Sequence, residues 1–573
     1  MKTHLVIFQP GGLEVRVEAG TRIYDAALKA GLRLITLCGG KEKCGRCKVR
    51  VLGGTVRPAL HTHLSQGEID TGYCLACATA VDDDLVVEIP REMEVASTAG
   101  TQALLSMAEI LETARALRGR ERATGREGEG ERTREGEGAR AKGRAGNLGL
   151  ALDIGTTVVA GALFDLNERE LLAEAAAENL QAAHGADIVH RINFAKKGGG
   201  LRNLQHLGLE TVEGIVGDLL ATAGESIASI LAVTAAGNTT MTHLLLGMDP
   251  AWIQTDSLPP SGVEVPQPEA LESGIPAHPS AGLWVSPWVG NYLGGDITAG
   301  VLFTRMWNEE PLTLYVDLGT NGEIVLGNRE WMAGCACSCG PAFEGSGVSC
   351  GVRAAGGAID RVEINSTAGG VLYRTIGKEK PNGICGSGLL DVLAQLRQAG
   401  LVDQRGKFIT DRLNASGASG RVQGRPAFVV APAEHAAHGA DIVVTQRDLE
   451  HLIRSKGAAF AGIRTLLKNL DISPDQIQRV VIAGGFGRSL DIPNAIAIGM
   501  LPDLPLERFS YIGNGSLKGA VLALLWEDFR DRIADIARKI TYVDLSTTPG
   551  YMDEFVASLF LPHTDLGLFP SVK

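Results

Sequence analysis

No run of about 18 apolar residues occurs in the 573-residue chain, so no membrane-crossing helix is expected. Excess positive charge is missing too. Lys and Arg number 54 against 66 Asp and Glu, a net charge of −12, which leaves no basic footprint for nucleic acid or an anionic membrane. The opening MKTHLVIFQP carries one lysine and a β-like run broken by Pro10 and two glycines, which is not the order of a signal peptide. These absences point to the cytoplasm, where paired cysteines more often bind metal than form disulfides. What is present in excess is glycine: 73 residues, about 13% against a usual ~7%. Glycine at that level implies pliant linkers, or many turns that need positive φ and close backbone approach to a ligand.

The ten cysteines are clustered, five in 38–77 and four in 335–350. Around the first group, residues 4–9 and 13–18 alternate and read as a hairpin, Thr21 caps a short helix over 22–30, and 48–52 and 85–89 supply further strands. Between them stands C-x5-C-x2-C, formed by Cys38, Cys44 and Cys47, with Cys77 a further thirty residues on. Such a glycine-rich loop lets the backbone curl round a cluster and aim amides at its sulfurs. The segment resembles the plant-type [2Fe–2S] ferredoxins, whose cysteines run C-x4-C-x2-C…C. It has one extra residue in the first gap, a variation also seen among vertebrate-type ferredoxins. The resemblance implies Cys38, Cys44, Cys47 and Cys77 as ligands. The competing reading is a structural zinc site on Cys44, Cys47, Cys74 and Cys77; in the ferredoxin reading Cys74 is a spare thiol beside the cluster.

Residues 119–146 hold eight glycines, mixed charge and essentially nothing apolar, with REGEG occurring twice. Such a segment buries too little to offset its ordering entropy and is expected to be a flexible tether spanning roughly 30 Å. Before it, 102–117 reads as an amphipathic helix with Leu105, Ala108, Leu111 and Ala114 on one stripe. That stripe needs a partner, either the cysteine-bearing domain or its twin in a homodimer.

From Leu148 the character changes. A buried strand runs into Asp153-Ile-Gly-Thr-Thr157 and a second strand, and Leu314–Val316 runs into Asp317-Leu-Gly-Thr-Asn-Gly-Glu323 and another. Glycine turns admit phosphate oxygens to backbone N–H groups and Thr hydroxyls, while each Asp faces Mg²⁺ or its waters. The apolar strand Val480–Ala483 ends in Gly484, Gly485 and Phe486, and two small-residue helices begin near Gly295 and Gly515.

Two phosphate loops, two small-residue helices and an AGGFG turn, in this order, resemble the actin/Hsp70/sugar-kinase superfamily. The resemblance implies ATP between two RNase-H-like lobes. Asp153, Gly155, Thr156 and Thr157 would form one phosphate loop, and Asp317, Gly319, Thr320 and Asn321 the other. Gly484, Gly485 and Phe486 would lie against adenosine, and Asp296 would orient the attacking water or a Mg²⁺ water.

The combination with a ferredoxin domain, and the strings AAGNTTMTHLLLG, CSCGPAFEG and GICGSGLLD, resembles the reductive activators of corrinoid proteins. The expected architecture is α+β and multidomain. It comprises a β-grasp [2Fe–2S] ferredoxin domain (1–94), a helix and flexible charged linker (95–147), and two α/β ATPase lobes (148–308 and 309–573). The implied cofactors are a [2Fe–2S] cluster, ATP and Mg²⁺. The implied partners are a low-potential electron donor and a methyltransferase corrinoid protein whose Co(II) is returned to Co(I). Rival readings are a small-molecule kinase with a regulatory cluster and an Hsp70-like binding machine. The triple Cys335, Cys337 and Cys339 raises a second cluster as an alternative to small packed residues.

Overall fold

Alternation at the N-terminus builds a small sheet in the computed structural model, which describes residues 2–9, 12–30, 32, 47–56, 64, 66–89, 105–124, 147–255, 265–365, 370–422, 424–485 and 490–572. Strand Thr3–Gln9 turns His4, Val6 and Phe8 inward, pairs antiparallel with Leu13–Glu18, and pairs parallel with Leu85–Glu88. Lys48–Gly53 and Tyr73–Leu75 complete five strands. The short helix Ile23–Lys29 packs Ile23, Ala26 and Ala27 into the same core. This is the sheet wrapped on one helix that the sequence implies.

The next helix differs from expectation in extent and facing. It runs over Met107–Thr124, so residues 119–124 of the expected tether are helical. Its buried stripe is Ile110, Ala114 and Leu117, while Ala108 is exposed. That stripe joins the core around Leu517, Val521 and Leu525 of helix Gly515–Leu525, and Glu109 pairs with Lys518. The stripe is therefore covered by the later part of the same chain rather than by the cysteine domain. Small residues on helix Gly515–Leu525 let the longer side chains settle there, which decides the buried face.

Each half of the remaining chain is built on one sheet with its Asp loop at the end of an inner strand. The first sheet runs Glu170–Glu178, Val158–Asp165, Leu148–Ile154, Ile230–Gly237, Gly282–Val285. Helix Gly200–Ala223 covers one face with Leu204, Val212, Ile215 and Leu219. The second sheet runs Phe509–Tyr511, Arg479–Ala483, Thr313–Leu318, Gly322–Gly327, Met332–Cys337, Ile540–Tyr542. Two three-stranded sheets, Gly370–Thr375/Ala358–Asn365/Gly383–Ile384 and Ser419–Val422/Arg425–Ala431/Ile442–Thr445, extend the second half.

Between the large sheets lie the helices Gly295–Thr304 and Gly515–Leu525. A Cβ at Gly519 would stand 2.2 Å from Ala299 O, so glycine is what lets the two backbones approach. Among the described residues no helix is long and apolar enough to cross a membrane.

Candidate functional site

Strand ends bring the predicted site residues together. Asp153 closes the inner strand of the first sheet, and its carboxylate accepts from Asn514 Nδ2 and Ser516 Oγ, each at 2.7 Å. Asp317 occupies the matching place in the second sheet and accepts from Tyr315 Oη at 3.1 Å. Asp296 lies in the first turn of helix Gly295–Thr304 and accepts from Ile297 N at 2.9 Å.

These carboxylates are buried and feel one another. Burial, then repulsion from Asp317 and Asp153, pushes Asp296 up to about 8. Burial, with Asp153 and Glu344 adding, pushes Asp317 up to about 7 against the Tyr315 hydrogen bond. Burial also raises Asp153 and lifts Glu323 well above the carboxylate range. Such a group is short of positive charge. Among the described residues no three His, Cys, Asp or Glu side chains are arranged to hold a metal directly.

The first loop is braced through its carbonyls. Asn179 Nδ2 donates to Gly155 O at 2.9 Å, and the buried Arg191 donates to Thr156 O at 2.5 Å. Asn238 Nδ2 donates to Thr156 Oγ1 at 2.9 Å. Gly155 is required, because a Cβ there would meet Val158 O at 2.3 Å. Thr157 reaches across to the second loop, its Oγ1 lying 2.7 Å from Thr320 Oγ1. Within that loop Gly319 N donates to Asn321 O at 3.0 Å, and the Asn321 side chain hydrogen-bonds Glu323. Gly484, at φ +96°, packs where a Cβ would stand 2.3 Å from Leu318 O, so the glycine turn after strand Arg479–Ala483 abuts the second loop. Gly485 is exposed, and Phe486 lies outside the described residues.

Asn179, Arg191, Asn238, Glu344, Asn514 and Ser516 escaped the sequence reading as site residues. Asn238 and Glu344 sit inside AAGNTTMTHLLLG and CSCGPAFEG, so the signal was present, but neither residue belongs to a phosphate-loop pattern.

In the cysteine domain, Cys38 and Cys44 lie outside the described residues. Cys47 and Cys77 are buried with their Sγ atoms 3.1 Å apart. Two thiolates on one tetrahedral metal stand about 3.7 Å apart, so the pair is near enough to bind one iron of an iron–sulfur centre. Cys74 is buried beside Thr79, and burial pushes its thiol up to about 11, which suits a spare, protonated thiol.

Among the described residues Cys335, Cys337 and Cys339 form no group arranged to hold a metal. Cys337 instead donates to Gly322 O at 3.1 Å, and burial pushes Cys335 up to about 12. These are small packed thiols under the second loop.

Comparison with known proteins agrees along the whole chain. Residues 6–82 match the 2Fe-2S iron-sulfur cluster binding domain, 148–309 the RACo middle region, and 311–573 the C-terminal domain of RACo, the ASKHA domain. The corrinoid activation enzyme RamQ of Eubacterium limosum is 33% identical over 414 residues, 71% of this chain and 69% of that protein. The [Co(II) methylated amine-specific corrinoid protein] reductase of Methanosarcina barkeri is 24% identical over 277 residues, 45% of this chain and 47% of its own. A solved reductive activator for a corrinoid, iron-sulfur protein superposes with a TM-score of 0.71 at 37% identity, covering 99% of this chain and 100% of that one. The chain belongs to the family of reductive activators of corrinoid proteins.

Proposed function

We propose that this chain is an ATP-driven reductase that passes one electron to the Co(II) corrinoid of a methyltransferase corrinoid protein, yielding Co(I). Held by Cys38, Cys44, Cys47 and Cys77, a [2Fe–2S] centre would supply a one-electron donor near −400 mV, the plant-type range. The electron comes from a separate low-potential donor, and one electron in balances one electron out. Because the transfer to cobalt is uphill, the ATPase lobes supply the bias.

The observation that carries this reading is the meeting of the two Asp loops, at Thr157 and Thr320, between sheets that belong to different lobes. In this reading Gly155, Thr156 and Thr157 on one side and Gly319, Thr320 and Asn321 on the other grip the phosphates. Asp153, Asp296 and Asp317 orient Mg²⁺ waters and the attacking water, and Gly484, Gly485 and Phe486 border adenosine. Contacts to the terminal phosphate from both lobes hold them in one arrangement, and hydrolysis releases them.

The deciding measurement is the visible spectrum of a Co(II) corrinoid protein mixed with the reduced chain, with and without MgATP. Conversion to the Co(I) spectrum only with MgATP is expected. Equal conversion without nucleotide would remove ATP from the reaction.

A further inference from the structure

Glu344 plays no part in the reading above, yet it touches both phosphate loops. It closes the short turn Pro341–Glu344, and its Oε2 accepts from Thr157 Oγ1 at 3.0 Å and from Thr320 Oγ1 at 2.8 Å. Those two hydroxyl oxygens are themselves 2.7 Å apart. A hydroxyl has one proton to donate. Two hydroxyls supply two protons for three short contacts, so with Glu344 ionised one oxygen pair meets lone pair to lone pair; burial raises Glu344, against the hydrogen bonds from Thr320 and Thr157. The trio is incomplete in hydrogen bonds and is held in place by its surroundings.

Those surroundings are rigid. Gly345 sits at φ +80°, where a Cβ would come within 2.4 Å of Val352 O, and a Cβ on Gly351 would stand 2.1 Å from Gly345 O. Two residues further on, Arg353 pairs with Glu178 of the first sheet at 2.6 Å. The backbone under Glu344 is thus clamped from two directions, so displacement of the carboxylate falls to its side chain.

A terminal phosphate gripped by Thr157 and Thr320 presents oxygens to the same two hydroxyls and carries the same sign of charge as the carboxylate. Both anions cannot share that place. We propose that Glu344 is a gate residue for the terminal phosphate. It holds the position on Thr157 and Thr320 that the γ-phosphate oxygens take, so ATP must displace it and ADP need not. Displacement also exchanges the Thr157–Thr320 contact for contacts of both hydroxyls to the terminal phosphate, so the lobes register that phosphate as a new bridge between them. The inference rests on the nucleotide reading given above.

Calorimetric titration of the full-length protein with MgATP and with MgADP tests it, on wild type, Glu344→Gln and Glu344→Ala. Gln keeps the volume and an accepting oxygen while removing the charge, so it preserves the turn even where Ala loosens it; circular dichroism checks both. With the gate removed, the ratio of the ADP Kd to the ATP Kd should rise about tenfold, because only ATP met the opposing charge. A ratio unchanged or lowered in the variants, with wild type binding both nucleotides, overturns the gate and leaves the nucleotide reading standing. Failure of wild type to bind either nucleotide overturns that reading and the gate with it.

Discussion

Asn514 Nδ2 donates to Asp153 Oδ2 at 2.7 Å, joining the start of helix Gly515–Leu525 to a loop 361 residues earlier. The same amide caps its helix, its Oδ1 accepting from Leu517 N at 2.8 Å. Two substitutions separate the roles. Asn514→Ala loses the cap, about 1 kcal/mol, and a donor to a buried carboxylate, about 1–3 kcal/mol more. Asn514→Asp is an equally good cap but sets a second carboxylate against Asp153. Denaturant unfolding at pH 7 should rank the Asp variant below the Ala variant. The opposite order would mean that capping, not Asp153, is what Asn514 serves.

Tyr315 fills the space between the crossing helices. A Cβ at Gly300 would lie 2.2 Å from Tyr315 Oη, the atom that also donates to Asp317. Gly300→Ala should therefore cost about 1–3 kcal/mol through overpacking. Tyr315→Phe removes the crowding oxygen at the expense of one hydrogen bond. In the Phe background the cost of Gly300→Ala should fall by about 1 kcal/mol or more, a coupling read from a double-mutant cycle. Strictly additive single variants would show that the two residues do not meet.

The parts of this molecule that sequence reveals are local. The Asp-Gly-Thr loops, the three-cysteine loop and the glycines of the crossing helices each state their chemistry within a few residues. What pattern alone does not reveal is a partner supplied from afar. Glu344 is 187 residues from the Thr157 it holds, and Arg353 is 175 from Glu178. The helix before the charged segment shows the same limit. Periodicity names Leu105, Ala108, Leu111 and Ala114; Leu105 and Ala114 are buried and Leu111 partly so, but Ala108 is exposed and Ile110 and Leu117 join the buried face on helix Gly515–Leu525.

The contact of Cys47 with Cys77, and the separate environment of Cys74, divide the cysteines by role. Cys77→Ala should yield protein that loses its iron, acid-labile sulfide and the rhombic EPR signal of a reduced [2Fe–2S] centre. Cys74→Ala should keep all three. Cys74 should also resist alkylation at pH 8, since burial holds its thiol at about 11 and little thiolate exists there. Loss of iron on changing Cys74, with retention on changing Cys77, would reassign the ligands.

Glu554 ties the helix Tyr551–Ser558 to its neighbours. Its carboxylate meets His563 Nε2 at 3.2 Å, Arg464 Nε at 3.7 Å, and Lys468. Burial alone would raise Glu554, but hydrogen bonds from His563 and Lys468 outweigh it and bring it down to about 2 from 4.5. A carboxylate lowered on folding stabilises above its unfolded value, and that contribution fades as pH falls from about 4.5 toward 2. Glu554→Gln should cost about 2–3 kcal/mol at pH 7 and progressively less as the pH falls through that window. A deficit independent of pH would place the effect in packing rather than charge.

The last prediction concerns how the redox domain reaches its targets. Tyr24 Oη donates to Ala183 O at 2.8 Å, which sets the cysteine domain against the turn Leu180–His184. That turn adjoins the first phosphate loop, since Asn179 caps it and also donates to Gly155 O. In the reading proposed above the cluster meets a donor and then a cobalt bound to another protein, and a domain able to leave this place can serve both in turn. The tether expected over residues 119–146 lies, from residue 125 onward, outside the described residues, and we propose that the domain leaves this position on residues 125–146. Deleting most of them should spare cluster reduction and basal ATP hydrolysis but slow Co(II) reduction strongly. A neutral Gly/Ser segment of equal length should largely restore the rate, because reach depends on length more than on sequence. Normal cobalt reduction by the shortened chain would rule out a swinging domain. Rescue by the native charged sequence alone would make the segment a docking surface, with its charges rather than its length setting the rate.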